Sequence, residues 1–200
     1  MGIFTWISDH FIEIFGAVTG VIYVFLEIRQ NLWLWPVGIA TSATYIWVFM
    51  HGKLYADMSL QIYYLAVSVL GWFWWLKGRK GNDSSSERRI FVVHRVKLKP
   101  AMALAVVFIC LYFVMWFILS RFTDSPVPAF DSFITSLSIV ATWMLARKIF
   151  EHWYLWIIVN SSAAILFFTR GLYPTVILYV VYCIMSFAGL VEWRKSLVSK

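Results

Sequence analysis

Apolar residues in this chain of 200 fall into seven long runs, near positions 11–29, 32–50, 56–77, 100–120, 130–147, 153–169 and 173–193. A hydrocarbon core about 30 Å thick takes about 20 residues of α-helix, so each run predicts one membrane-spanning helix. Local signals agree with those limits. Pro36, Pro100 and Pro174 stand near helix starts, where a missing N–H costs little, and Gly52 and Gly171 mark tight turns. One long polar interval, 78–99, interrupts the series. Asn82-Asp83-Ser84-Ser85-Ser86 lies at its centre and its second half, Arg88 to Lys99, is basic. A solvated linker whose basic half rests on anionic headgroups is the expectation.

Sliding the chain along itself by 118 positions, without a gap, exposes an internal repeat. Arg29 meets Arg147, Trp35 meets Trp153, Leu54-Tyr55 meets Leu172-Tyr173, and Tyr64, Ser68, Gly71, Trp75 and Lys77 meet Tyr182, Ser186, Gly189, Trp193 and Lys195. With Phe15, Ile39, Phe49 and Leu60 there are thirteen identities over the 65 positions from Glu13 to Lys77. The pattern predicts an all-α integral membrane protein of seven helices. A first three-helix repeat covers 11–77, the linker 78–99, a spacer helix 100–120 and a second three-helix repeat 130–193. Because the spacer crosses once, the second triplet enters the bilayer in the same orientation as the first, the parallel arrangement of one class of secondary transporters.

Composition sharpens this reading. Apolar residues make up 62% of the chain and charged ones 14%, more apolar surface than a soluble globule of this length can enclose. The net charge of +7 could mean nucleic acid, but no basic stripe with interleaved stacking residues stands apart from the apolar runs. Placed on the seven spans, the basic residues instead divide three to one side (Lys53, Arg121, Arg170) and fourteen to the other. The excess marks the cytoplasmic side. The N-terminus is therefore expected outside, with the 78–99 loop and the C-terminus inside. Met1 to Glu13 has no Lys or Arg and carries Asp9 and Glu13, unlike a cleavable signal, so the whole chain is read as mature. Cys110 and Cys183 lie inside apolar runs and read as small hydrophobes. The four histidines, His10, His51, His94 and His152, fall in loops or at helix ends without metal-ligand spacing, and are expected to be solvated.

Candidate chemistry comes from polar residues at membrane depth. Trp153, Trp156 and Asn160 share one face of helix six at i, i+3 and i+7, with Asn160 about 11 Å along the axis from Trp153. Helix two carries Thr41, Ser42 and Thr44; helix three Gln61, Tyr64 and Ser68; helix seven Tyr179, Tyr182 and Ser186. Asp131 opens helix five, followed by Thr135, Ser136, Ser138 and Thr142. Many of these have ordinary explanations. Ser and Thr in membrane helices usually bond their own backbone or a neighbouring helix, and Trp72, Trp74, Trp75 and Trp193 sit where interface anchors belong. Trp153 fits a belt or a site equally. Glu27, Glu192 and Asp131 are expected to cap or pair at helix ends, Asp131 being the best placed to meet a cation. An amide at the midplane is costly against lipid, so Trp156 and Asn160 are the strongest site candidates. The set suits a flat, polar, cationic ring: Trp and Tyr faces attract cations, and Asn and Gln amides both donate and accept. There is no GxxxxGK[ST] for ATP and no visible chain of carboxylates and histidines for protons, which favours passive movement without a cofactor. An intramembrane enzyme would need a nucleophile and base or a metal set, and none is visible. A receptor or sorting protein that binds without translocating stays open.

At these residues the sequence resembles the Pnu family of bacterial vitamin transporters. The resemblance rests on Phe130-Asp131-Ser132, Leu137 to Ala141, Arg147-Lys148, Glu151-His152-Trp153-Tyr154-Leu155-Trp156 with Asn160, and Gly171-Leu172-Tyr173, and in the first half on Leu54-Tyr55-Ala56, Gln61 and Gly71-Trp72. It covers most of the chain outside the linker. It implies a seven-helix, SWEET-like 3+1+3 fold, a homotrimer in the bacterial inner membrane, and facilitated diffusion of a vitamin that a cytosolic kinase traps by phosphorylation. It further implies that Trp153, Trp156 and Asn160 contact substrate, with Gln61 as a polar partner. Nicotinamide riboside, feeding NAD synthesis, and thiamine are both implied substrates. Riboside members usually carry Asn in the middle of helix two, where this chain has Thr41-Ser42; the intact helix-six motif favours the riboside.

Overall fold

The computed structural model describes residues 11–51, 55–80, 92–123 and 125–198. Seven helices follow one another: α1 Phe11–Ile28, α2 Leu34–His51, α3 Tyr55–Lys80, α4 Leu98–Phe122, α5 Pro128–Ala146, α6 His152–Thr169 and α7 Tyr173–Val198. Each begins and ends close to the apolar run that predicted it, and no strand is formed among the described residues. The polar centre of the linker, Asn82 to Ser86, lies outside the described residues. Pro36, Pro100 and Pro174 fall in the first turns of α2, α4 and α7 as expected, and Pro128 opens α5 in the same way. Spans within α3 to α7 are long and apolar enough to cross a membrane. Among the described residues α1 and α2 fall short of that measure; α1 offers Ile14–Ile28 as its apolar part, and Thr41, Ser42 and Thr44 interrupt α2.

The packing separates α4 from the rest. It touches only α5 among the described helices and buries no residue. The others form two triplets, α1–α3 and α5–α7, which meet along two seams, α1 against α7 and α3 against α5. Helix α5 carries most of the burial, and its Ser132, Ser136, Ser138, Ala141, Thr142 and Ala146 are small enough to let neighbours approach closely.

Both triplets turn in the same way at one end. After α1, Gln30 takes φ 51° while its N–H reaches the Glu27 carbonyl (2.9 Å) and that of Asn31 the Leu26 carbonyl (2.9 Å). After α5, Lys148 takes φ 54° and the same pair of bonds runs to Leu145 (2.8 Å) and Met144 (2.9 Å). These are Schellman caps, which usually place glycine at the left-handed residue; Gly171, at φ 72° after α6, is such a case. Gln30 and Lys148 instead use side chains there. Lys148 Nζ donates to Gln30 Oε1 (3.3 Å) and lies 4.1 Å from the Trp75 ring centre, while Gln30 Nε2 donates to Ser196 Oγ (3.0 Å). The two turns are thereby fastened to each other, and burial pushes the Lys148 ammonium down to about 8.

Four buried tryptophans fill the same end. Trp35 lies over Gly71, where an added Cβ would come within 2.4 Å of the indole, and Trp153 lies over Gly189 with a corresponding 2.3 Å. Trp35 meets Trp75 edge-on at 5.3 Å, as Trp153 meets Trp193 at 5.7 Å. Trp75 and Trp193, expected as interface anchors, are core residues with 1% and 0% exposure. The reason is chemical: helix C-termini leave carbonyls unsatisfied, and these indoles serve them. Trp75 Nε1 donates to the Ala146 carbonyl of α5 (3.2 Å), and Trp193 Nε1 to the Glu27 carbonyl of α1 (3.1 Å). A short strap near the end of the linker closes over this tryptophan end. His94 exchanges backbone hydrogen bonds with Lys148 and Phe150, and Val96 N–H donates to the Glu151 carboxylate (2.9 Å).

Candidate substrate cavity

Between the triplets lies a cavity of about 400 Å³, the size of an ordinary small-molecule site. Helix α6 supplies Trp153, Trp156 and Asn160, and α7 supplies Tyr179, Tyr182 and Ser186. From the first triplet come Thr41, Ser42 and Tyr45 of α2 and Gln61, Tyr64 and Ser68 of α3. Nine of the ten residues proposed from sequence as a binding set therefore share this one wall: Trp153, Trp156, Asn160, Gln61, Tyr64, Thr41, Ser42, Tyr179 and Tyr182. The tenth, Asp131, does not line it. Its carboxylate accepts from Ser125 Oγ and lies 3.8 Å from the Arg170 guanidinium at the far end of α6. The cation it meets belongs to the protein.

The polar wall is partly pre-organised. Asn160 is buried, and its amide donates to Ser186 Oγ (3.1 Å), which in turn donates to the Tyr182 carbonyl (2.8 Å). Other hydroxyls are satisfied within their own helices, as Thr44 on Ala40 (2.9 Å), Ser138 on Ile134 (2.8 Å) and Thr142 on Ser138 (2.8 Å). By contrast, the indole N–H groups of Trp153 and Trp156 have no acceptor among the described residues. Two buried donors beside an anchored amide make a site that can hold a planar polar ring through its edge, while five tyrosines, Tyr23, Tyr45, Tyr64, Tyr179 and Tyr182, line the cavity beside them.

Helix α1 was missing from the sequence-based set. It contributes Thr19, Gly20, Tyr23 and Glu27, and Gly20 makes room for the Tyr182 hydroxyl, which lies where a Cβ would stand. Glu27 is 2% exposed and is the sole Asp, Glu, Lys, Arg or His among the lining residues. Its partner is His152, which is not solvated as expected but fully buried, with Nε2 3.1 Å from the Glu27 carboxylate. The position comparison carried a clue to both. At an offset of 118 residues, Glu27 corresponds to Leu145 and His152 to Leu34, so ionisable groups stand where the other triplet has leucine.

Residues 10–195 match the family described as nicotinamide mononucleotide transporter. The chain belongs to this transporter family. Proteins similar to it include the nicotinamide riboside transporter PnuC of Escherichia coli (strain K12), 24% identical over 206 residues that cover 92% of this chain and 85% of that protein. The riboflavin/roseoflavin transporter RibM of Streptomyces davaonensis is 27% identical, covering 95% and 88%. PnuC of Neisseria mucosa is 26% identical, covering 96% and 75%. A crystal structure of the vitamin B3 transporter PnuC superposes with a TM-score of 0.72 at 23% identity, over 97% of this chain and 85% of that one. That likeness establishes the shared all-helical fold. As a member of the family the chain is a membrane transporter, not an enzyme.

Proposed function

We propose that this transporter imports nicotinamide riboside across the bacterial inner membrane by facilitated diffusion. The observation that carries this reading is the charge of the cavity lining. Tyr and Trp faces attract a cationic pyridinium, Asn160, Gln61 and the free indole N–H groups suit its carboxamide and hydroxyls, and the lining has no Lys or Arg to pair with a phosphate. The nucleoside therefore fits the cavity better than the mononucleotide in the family's description. A cytosolic kinase would trap the imported riboside for NAD synthesis, because its phosphorylated product meets a cavity with one carboxylate and no counter-charge.

The tryptophan end is assigned to the cytoplasm, with the N-terminus outside, on the distribution of Lys and Arg in the sequence. The two triplets act as parallel repeats rocking about the cavity, in one protomer of a trimer. Riboflavin is the second reading, favoured by the similarity to RibM; thiamine, another cationic heteroaromatic, is a third. Purified protein titrated with nicotinamide riboside, its mononucleotide, riboflavin and thiamine should bind the riboside tightest and the mononucleotide at least tenfold more weakly. Proteoliposomes should equilibrate the riboside without ATP or an ion gradient. Uptake that collapses with a protonophore would refute facilitated diffusion, and binding without any uptake would favour a receptor.

A further inference from the structure

Two equivalent places at the tryptophan end join one triplet to the other, and they are filled with opposite chemistry. At one, Leu34 at the start of α2 and Leu145 near the end of α5 are both 0% exposed and belong to a single apolar core cluster. At the other, the corresponding residues are His152 at the start of α6 and Glu27 near the end of α1, in direct contact. His152 Nδ1 faces the Ile149 carbonyl at 2.6 Å, so Nδ1 carries a proton and donates it. The Nε2 to carboxylate contact then needs one further proton in the gap. The pair is neutral as a whole and boxed by the Trp153 and Trp193 rings at 4.7 and 4.6 Å from the imidazole.

Packing does not require this polarity, since leucines fill the equivalent place with no exposure. A buried polar pair is seldom better for stability than an apolar one of similar size. The difference lies in the cost of parting. Separated leucines expose apolar surface to water, whereas a separated carboxylate and imidazole exchange their mutual hydrogen bond for hydrogen bonds to water. Glu27 and the neighbouring Trp153 line the cavity, while neither Leu34 nor Leu145 does. We propose that the Glu27–His152 contact is the gate at the tryptophan end of the transport path. Substrate passes there when α1 and α6 part, and the apolar cluster that holds Leu34 and Leu145 stays closed as the hinge. This rests on the transport reading of the cavity.

The test copies one place onto the other. A Glu27→Leu, His152→Leu double variant removes both ionisable groups together, so neither is left buried alone. Its uptake of nicotinamide riboside into proteoliposomes should fall at least tenfold, and by a larger factor than its binding of the riboside falls. Glu27→Gln, which keeps a hydrogen-bonding partner for His152, should retain most of the uptake. Wild-type uptake by the double variant would overturn the gate, and so would parallel loss of binding and uptake, which marks a merely structural or ligand-contacting role. A substrate-free readout separates failure of the gate from failure of the riboside assignment. Ser68→Cys, placed in the cavity wall with Cys110→Ala and Cys183→Ala, is exposed to a membrane-impermeant maleimide from the tryptophan end. The double leucine change should slow labelling at least tenfold from that end alone, and equal labelling would overturn the proposal.

Discussion

The first and second triplets share a scaffold but differ at the cavity. Where they hold themselves together they coincide: tryptophan on glycine at Trp35–Gly71 and Trp153–Gly189, indole on helix end at Trp75 and Trp193, left-handed caps at Gln30 and Lys148. Where they face the cavity they keep Tyr64 and Ser68 against Tyr182 and Ser186 but elsewhere diverge by size and polarity. At positions 118 apart, Gly38 stands against Trp156, Ser42 against Asn160 and Gln61 against Tyr179, while Tyr23 and Tyr45 correspond to Ala141 and Ala163. A large residue in one half answers a small one in the other. The packing contacts recur in both halves and the cavity lining recurs only in part, which suits one asymmetric ligand held between two similar halves.

The comparison breaks most sharply at the tryptophans. Trp35→Ala and Trp153→Ala should each cost about 3–5 kcal/mol as large-to-small core changes, seen as matching losses in thermal stability in detergent. Only Trp153→Ala should also weaken binding of nicotinamide riboside, because only Trp153 lines the cavity. Gly71→Ala and Gly189→Ala come next, at about 1–3 kcal/mol each for overpacking. Unequal losses would show that the two glycine contacts are not equivalent. Within the cavity, Asn160→Ala should weaken binding about tenfold, or about 1.4 kcal/mol, while Ser42→Ala and Asp131→Asn stay within threefold by titration.

The smallest effect concerns Lys148. Its ammonium is held down near 8 by burial, whereas an unfolded lysine titrates near 10.4, so the unfolded chain binds more protons between those values and stability rises with pH there. Melting temperature should therefore climb between about pH 8 and 10, and Lys148→Met, which keeps the aliphatic stem over Trp75, should flatten the slope.

The fold was legible because each helix needs a long apolar run and the polar breaks between them are few. The site was legible where the cost of an exposed amide forces Asn160 inward and the helical period carries Trp153 and Trp156 with it. What escaped were contacts that no local pattern encodes. Trp75 and Trp193 look like interface residues until α5 and α1 bring carbonyls to their N–H groups, and His152 looks like a loop residue until α1 lays Glu27 beside it. Tyr23 lies on an apolar helix whose cavity-facing side is set by α7 pressing on Gly20, far away in sequence.

Helix α4 carries a last lesson. Long and apolar between Lys99 and Ser120, it contributes no buried residue, so its sequence can drift among apolar side chains with little penalty. Its presence cannot be traded away so freely. The strap before it lies at the tryptophan end, where α1, α3, α5 and α7 all finish, and α4 carries the chain back to the opposite end so that α5 can start there. On the parallel-repeat reading proposed above its contribution is parity: an odd extra crossing gives the second triplet the direction of the first, and losing it would turn α5–α7 upside down while leaving every residue of the cavity intact in sequence.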